Sequence, residues 1–162
     1  MTSFLEPDWD DVRDVEGFRG RRARLGRQAG CEHLGMSLFE IEPGSASFPI
    51  HYHLGNEELL IVLAGTIALR TLEGERALAP GDVVSLATGE EGAHQVVNRG
   101  DSPARILIAS EMNAPDIVVR PESGKLSAFG TPPGSLHGFH DAYFRRDAVD
   151  FWEGEPPPPS VP

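Results

Sequence analysis

Two histidines and a pair of glutamates in one short segment have the types and spacing that suit metal binding. The histidines are His51 and His53, and the carboxylates are Glu57 and Glu58. Alternate side chains of an extended strand point to the same face, so the two imidazoles lie on one face about 7 Å apart along the chain. After the intervening turn, a carboxylate on the next strand can approach the same ion. The segment therefore predicts a shared metal site.

A fourth ligand must come from elsewhere in the chain, and the candidate is His94, which opens a later predicted strand. Three imidazoles and one carboxylate suit one divalent transition metal ion: Mn, Fe, Co, Ni or Zn. Such a set leaves about one or two positions open for water, substrate or oxygen, which is typical of catalytic sites. His33, His137 and His140 lie in predicted turns or loops, and we assign them no metal role.

Short apolar runs separated by turn-forming residues indicate an all-β fold. The chain has 18 glycines and 14 prolines, and a new apolar run begins roughly every 8–12 residues, as in a sandwich or barrel. No segment of this middle region keeps a helical apolar period for three turns. The predicted strands are Leu34–Ile41, Phe48–His53, Glu57–Leu63, Thr66–Leu72, Ala77–Ala79, Asp82–Leu86, His94–Asn98, Ala104–Ser110 and Asp116–Arg120.

The two ends differ from the middle, so we predict an arm over residues 1–30, a barrel over 31–120 and an extension over 121–162. The arginines of the arm are expected to pair with local carboxylates or a neighbouring subunit; an anion-binding edge is the open alternative. The extension is predicted to be loop-like after Ser123, with a Pro-rich end. Its aromatic residues are too apolar for a free tail and are expected to dock on the barrel or on a partner: Phe139, Tyr143, Phe144, Phe151 and Trp152.

Composition and charge exclude several classes of protein. The formal net charge is −11, from 25 acidic and 14 basic residues, which argues against nucleic acid or an anionic membrane surface as partner. No run of about 18 apolar residues predicts a membrane span, and the acidic start does not resemble a signal peptide. The single cysteine, Cys31, excludes an internal disulfide and fits a reducing compartment. We expect a soluble cytoplasmic protein in which Cys31 is a packed thiol.

The histidine segment resembles the first motif of the cupin superfamily. That motif places His-x-His and a glutamate between two glycines at set distances. The matching residues are Gly44, His51, His53, Glu58 and Gly65. The first gap is one residue longer than the usual pattern. The six residues before the closing glycine select Glu58 as the ligand ahead of Glu57.

A second stretch resembles the second cupin motif. It supplies Gly81, Gly89, His94 and Asn98 at nearly the family spacing. Ala87 replaces the usual proline, and two extra residues precede the histidine. Cupin-like pattern extends over about residues 34–112, and the resemblance is nearest to small single-domain cupins, many described as sugar-phosphate-isomerase-like or uncharacterised.

The resemblance implies a jelly-roll β-barrel, also called a double-stranded β-helix, with the metal held inside near one end. The implied ligands are His51, His53, Glu58 and His94. Side chains on the same strand faces would line a largely apolar pocket: Leu60, Val62 and Val96. Cupins of this size usually exchange terminal strands between two copies, so a homodimer is expected.

These features predict a metal-dependent enzyme acting on a small polar molecule with carboxylate, carbonyl or sugar-like groups. Isomerase, decarboxylase, lyase and dioxygenase chemistry all stay open, because a fold does not determine a reaction. Glu57 is a candidate catalytic residue. The one lysine, Lys125, lies in a predicted loop and no arginine lies in the two motifs, which disfavours a phosphosugar. The alternative is a non-catalytic module that binds or senses a small ligand.

Overall fold

A computed structural model describes residues 2–132 and 138–158 of the chain. Within them the strands are β1 Asp11–Arg13, β2 Gly20–Ala23, β3 Leu34–Ile41, β4 Tyr52–His53, β5 Glu58–Ala64, β6 Ile67–Arg70, β7 Glu75–Leu78, β8 Val83–Leu86, β9 Gln95–Asn98, β10 Ala104–Glu111, β11 Asp116–Arg120, β12 Lys125–Phe129 and β13 His140–Phe144. A short helix, α1, covers Leu25–Gln28, and single 3-10 turns cover Glu90–Gly92 and Arg145–Asp147. In the described part of the chain, no helix has the length and apolar character needed to cross a membrane.

All strand pairs are antiparallel, and they form three hydrogen-bonded groups. The largest is the six-stranded sheet β1-β2-β3-β10-β5-β8, beside a four-stranded sheet β13-β12-β11-β4 and a three-stranded sheet β7-β6-β9. The segment 45–53 connects the two smaller sheets. It pairs with β9 through the bridge Ala46↔Val97 and with the residue before β9 through the bridge His51↔His94, and its end, β4, pairs with β11. The all-β fold predicted from the sequence is confirmed.

The hydrophobic core lies between the inner faces of these sheets. Burial alternates along β5, where Leu60 and Val62 are fully buried between more exposed neighbours, as expected for a strand with one face on a core. The largest buried cluster contains Phe39, Ile41, Leu60, Val62, Ile67, Leu69, Leu78, Leu86, Val96, Ala104, Ile106 and Ile108. Of the metal-ligand candidates, His53 and Glu58 lie on β4 and β5, and His51 and His94 directly precede β4 and β9.

Within residues 1–30, predicted to form an arm, β1 and β2 extend the large sheet. Strand β2 pairs with β3 along Gly20–Ala23, and the segment covers an outer apolar cluster of Ala23, Leu25, Leu38 and Leu107. The expected pairing with local carboxylates is confirmed: Arg21 contacts Glu40 at 2.6 Å and Arg22 contacts Asp11 at 2.9 Å.

The chain after Ser123 is not loop-like, because β12 and β13 add two strands to the sheet that carries β4. Docking of the aromatic residues on their own barrel is not observed for four of them: Phe139, Tyr143, Phe151 and Trp152 are each more than half exposed. Docking on a partner stays a prediction. The expectation of a packed thiol at Cys31 is wrong, since that cysteine is exposed.

Candidate metal centre

The inner face of the barrel brings four predicted ligands to one place. His51 is held by reciprocal backbone hydrogen bonds to His94, at 3.1 and 2.9 Å, and the ring centroids of these two residues are 4.6 Å apart. His53 follows two residues later, with its ring centroid 5.3 Å from that of His51. Donor atoms of His51, His53 and Glu58 all lie within 4.8 Å of one another.

Glu58 supplies the carboxylate of this cluster because it faces inward at the start of β5. Its Oε2 lies 3.3 Å from Nε2 of His94 and 3.8 Å from Nε2 of His53. Glu57, one residue earlier, is exposed and accepts a hydrogen bond of 2.9 Å from the hydroxyl of Ser85. The structure therefore brings Glu58 to the cluster and leaves Glu57 outside it.

Each imidazole uses its Nδ1 for a hydrogen bond outside the cluster. Nδ1 of His51 lies 2.9 Å from the carbonyl oxygen of Pro49, and Nδ1 of His94 lies 2.9 Å from that of Gly92. Nδ1 of His53 lies 2.6 Å from Oδ2 of Asp116. Since carbonyl and carboxylate oxygens only accept, each Nδ1 carries the proton. In the neutral rings the lone pair is then on Nε2, which is the arrangement that orients histidines as metal ligands.

The histidine pKa values reflect burial and the neighbouring charges. Burial, together with the positive charges that His94 and His53 would carry, lowers the pKa of His51 to about 3. Burial also lowers the pKa of His94. Burial lowers the pKa of His53 as well, but the hydrogen bond to Asp116 and the charge of Glu58 outweigh it, so this pKa is raised overall. Two of the three rings are thus held neutral, as metal ligation requires.

The donor set fits a divalent transition metal. Oε2 of Glu58 is buried without a hydrogen-bond partner in the described residues, and an unpartnered buried carboxylate oxygen is costly. It faces imidazole nitrogens whose lone pairs would also be unused. Nitrogen ligands with one carboxylate suit Mn, Fe, Co, Ni or Zn rather than Mg or Ca.

Asp116, which was not singled out from the sequence, contacts His53 of the cluster. Its side chain is fully buried, and its Oδ1 accepts a hydrogen bond of 2.9 Å from the amide of Gly55. Burial raises the pKa of Asp116, but the hydrogen bonds from His53, Asn56 and Gly55 outweigh it and lower the pKa. The ionised carboxylate fixes the orientation of His53. The one signal in the sequence is an acidic residue at the start of an apolar strand.

The predicted pocket residues Leu60, Val62 and Val96 are fully buried members of the main core cluster. Leu60 is two residues beyond Glu58, and Val96 is two residues beyond His94, so each follows a ligand on the same strand face. They form apolar surroundings next to the ligands. Their contact with a bound molecule stays a prediction.

The neighbouring carboxylates Glu57 and Glu58 allow a matched test of the ligand assignment. We expect Glu58→Gln to weaken metal affinity by at least about tenfold, because the amide removes the negative charge that faces the imidazoles. Glu57→Gln, which changes only the exposed face, should leave affinity unchanged. Titration of the metal-free proteins with Mn²⁺ or Zn²⁺ measures both. The opposite order would assign the ligand role to Glu57.

Asp116→Asn tests the outer hydrogen bond to His53. Since the amide carries no charge and no longer fixes the proton on Nδ1, we expect metal affinity to fall by about 10–100-fold in the same titration. Asp14→Asn, at an exposed position in the turn between β1 and β2, is the control and should bind metal like the wild type. Equal affinities for Asp116→Asn and the wild type would show that this carboxylate has no effect on the centre.

Known proteins share this architecture. Residues 37–110 match the family model described as Cupin domain. A protein from Acidithiobacillus ferrooxidans, for which sugar phosphate isomerase activity is proposed, is 25% identical with a TM-score of 0.73, over 88% of this chain and 86% of that chain. A protein from Silicibacter pomeroyi, described as a sugar phosphate isomerase from a cupin superfamily, is 25% identical with a TM-score of 0.71, over 82% of this chain and 80% of that one.

A polyketide cyclase from Streptomyces resistomycificus has the same fold at 20% identity and a TM-score of 0.57, over 68% of this chain and 78% of that chain. No curated protein sequence matches the chain. The histidine and glutamate positions that resembled the two cupin motifs lie together on the inner face of the barrel. Residues 37–110 are therefore similar in sequence to the Cupin domain family, and the fold is similar to that of a structure described as belonging to a cupin superfamily.

Proposed function

We propose that this protein is a metal-dependent enzyme that acts on a small polar molecule. The proposed ligands are His51, His53, Glu58 and His94. The observation that carries the proposal is the unpartnered Oε2 of Glu58, buried next to imidazoles whose Nδ1 atoms are already hydrogen-bonded elsewhere. A divalent ion bound there would supply a Lewis acid with room for a substrate oxygen.

The protein's own residues would orient and desolvate the substrate. The buried apolar side chains of Leu60 and Val96 keep water from the inner side of the site, which strengthens electrostatic interactions at the reacting atoms. Asp116 holds His53 in one tautomer through the 2.6 Å hydrogen bond. The likeness to two proteins described as sugar phosphate isomerases, at 25% identity, makes isomerisation of a small sugar-like carbonyl compound the first activity to assay.

Metal content tests the proposal directly. We expect the purified, untagged protein to hold about one Mn, Fe, Co, Ni or Zn ion per chain by elemental mass spectrometry. The double variant His51→Ala/His53→Ala should lose it, because two of the imidazole donors are gone. His33→Ala is the matched control, since His33 is exposed and distant in sequence from the cluster. Equal metal content in the double variant and the wild type would refute the ligand assignment.

Solvent access distinguishes an enzyme from a binding module. If the site is catalytic, the Mn²⁺-substituted protein should enhance the relaxation of water protons, because at least one coordination position exchanges with solvent. A metal with no exchangeable position would contradict the catalytic proposal. A stable ligand-binding or sensing cupin would then account better for the same cluster.

We also propose that two copies of the chain form a homodimer through apolar surface left uncovered on each. Exposed apolar side chains lie on three strands of the large sheet, β3, β5 and β8, and β10 separates β3 from β5: Leu34, Met36, Leu59 and Val83. The C-terminal aromatic residues Phe151 and Trp152 are at least 73% exposed. Uncovered apolar area of this kind is typical of protein interfaces, and a second copy carries the same surfaces.

Light scattering checks the dimer. We expect a mass of twice 17.6 kDa for the wild type. The double variant Leu59→Glu/Val83→Glu should shift toward the monomer, since it places charges on the apolar face. Leu72→Glu, at an exposed leucine in the turn after β6, is the control and should remain dimeric. A wild type that is monomeric at all concentrations would contradict the proposal.

A further inference from the structure

We propose that Arg120 and Lys125 form an oxyanion-binding subsite beside the metal centre, so that the ligand of this protein carries a phosphate or carboxylate group. That this group belongs to a substrate rests on the proposed function. The subsite itself is inferred from the strand register, the contacts of Arg120 and the positions of the charged side chains around it.

Strand register places both cations on the face that carries the histidines. Val118 of β11 pairs with His53 of β4, and on the other side it pairs with Ser127 of β12. Directly paired residues of an antiparallel sheet point to the same face, as do residues two apart on one strand. Arg120 therefore faces the same way as His53, and Lys125, its partner in the register, does too.

The guanidinium of Arg120 lies within electrostatic reach of the imidazoles. Val118, two residues earlier on β11, pairs with His53, and the positive charge of Arg120 acts on both His51 and His53. Nη1 of Arg120 donates a hydrogen bond of 2.7 Å to the hydroxyl of Ser127, which is buried. Burial lowers the pKa of Arg120 itself. The cation is thus partly withdrawn from water and oriented by a neutral partner.

Many arginines of the described residues form an ion pair with a carboxylate, but Arg120 does not. Six other arginines form ion pairs with an Asp or Glu that is distant in the sequence: Arg21, Arg22, Arg24, Arg70, Arg99 and Arg105. Glu122 is the acidic residue nearest to Arg120 in the chain, and it pairs with Arg70 instead. Among the described residues, no ion pair joins Arg120 to a carboxylate.

Lys125 adds a second positive charge directly opposite Arg120 on the neighbouring strand. Like charges placed directly opposite each other on adjacent strands are destabilising. The Nζ of Lys125 lies 4.9 Å from the ring centroid of Phe144, so its described contact also leaves its charge unneutralised. A chain with a formal net charge of −11 has ample carboxylates to pair these cations. Their position beside each other next to the metal centre is therefore explained best by an anion that binds between them.

The chemistry of the two side chains selects an oxyanion. A guanidinium presents a planar fork of N–H donors that matches two oxygens of a phosphate or carboxylate, and an ammonium adds a third point of attraction. From the sequence a phosphosugar is disfavoured, because Lys125 is expected in a loop and no arginine lies in the two motifs. The expectation for Lys125 is wrong, because this residue opens β12 and faces the same side as Arg120, which lies outside the motifs.

Binding of small anions to the metal-free protein tests the subsite without any contribution from a metal. Inorganic phosphate and glycolate are titrated separately by calorimetry into the wild type, Arg120→Gln and Arg120→Lys. We expect Arg120→Gln to bind the preferred anion at least about tenfold more weakly and Arg120→Lys to bind at an intermediate level, because it keeps the charge and loses the fork. The anion that binds the wild type more tightly identifies the group as phosphate or carboxylate.

Arg76→Gln is the matched control, because Arg76 lies exposed on β7, and it should bind like the wild type. Circular dichroism verifies that each variant is folded. Equal affinity of Arg120→Gln and the wild type, or no binding of either anion to the wild type, would overturn the proposal. Metal content, measured in parallel, should be unchanged in Arg120→Gln. A wild type that holds no metal but binds phosphate would contradict the proposed function and leave the subsite standing.

Discussion

The candidate centre depends on hydrogen bonds that hold the Nδ1 atoms of three imidazoles away from the cluster. A neutral imidazole has one protonated nitrogen, so a ring that donates from Nδ1 offers the lone pair of Nε2. For His51 and His94 the acceptor is the carbonyl oxygen two residues earlier in the chain, so the local backbone determines the ring orientation. For His53 the acceptor is Asp116, which is 63 residues away. That ring is oriented only once β4 and β11 have paired.

Glu58 turns this geometry into a strong preference for a cation. The inner strand face places its side chain among the imidazoles and beside the apolar core. A buried carboxylate oxygen without a hydrogen-bond partner, such as Oε2 of Glu58, raises the energy of the folded state. Without metal, the raised pKa of His53 allows that ring to hold a proton between the two carboxylates Glu58 and Asp116. A divalent ion would displace this proton, so metal binding and proton release are coupled at this residue.

The sequence was sufficient for the strands that are short apolar runs between turn-forming residues. Strands β3, β5 and β8–β11 lie close to the predicted positions, because runs of this kind are typical of strands with one or both faces buried. The hairpin of β1 and β2 gave no such signal, since its strands Asp11–Arg13 and Gly20–Ala23 consist mostly of charged residues and glycine. Strand β13 was missed because almost all of its side chains are exposed.

The same distinction applies to the site. His51 and His53 are recognisable from local spacing, and Glu58 and His94 from their distances to the glycines of the two motifs. Asp116 and Arg120 lie far from those motifs in the chain and reach the centre only through the pairing of β11 with β4. Long-range pairing of this kind has no local pattern in one sequence. The contribution of β11 therefore required the structure.

Charge at the centre differs in sign from charge on the rest of the molecule. The chain as a whole carries −11, but a divalent ion next to the single carboxylate of Glu58 would leave a positive remainder. Asp116, which is hydrogen-bonded to a neutral His53 in the metal-bound state, would offset that remainder. Arg120 and Lys125 would then make the total charge at the centre positive. The outer negative charge is screened within about 8 Å at physiological ionic strength, whereas charges in the partly buried interior interact at a lower effective dielectric. An anionic ligand is therefore weakly repelled at a distance and strongly attracted once it enters the barrel.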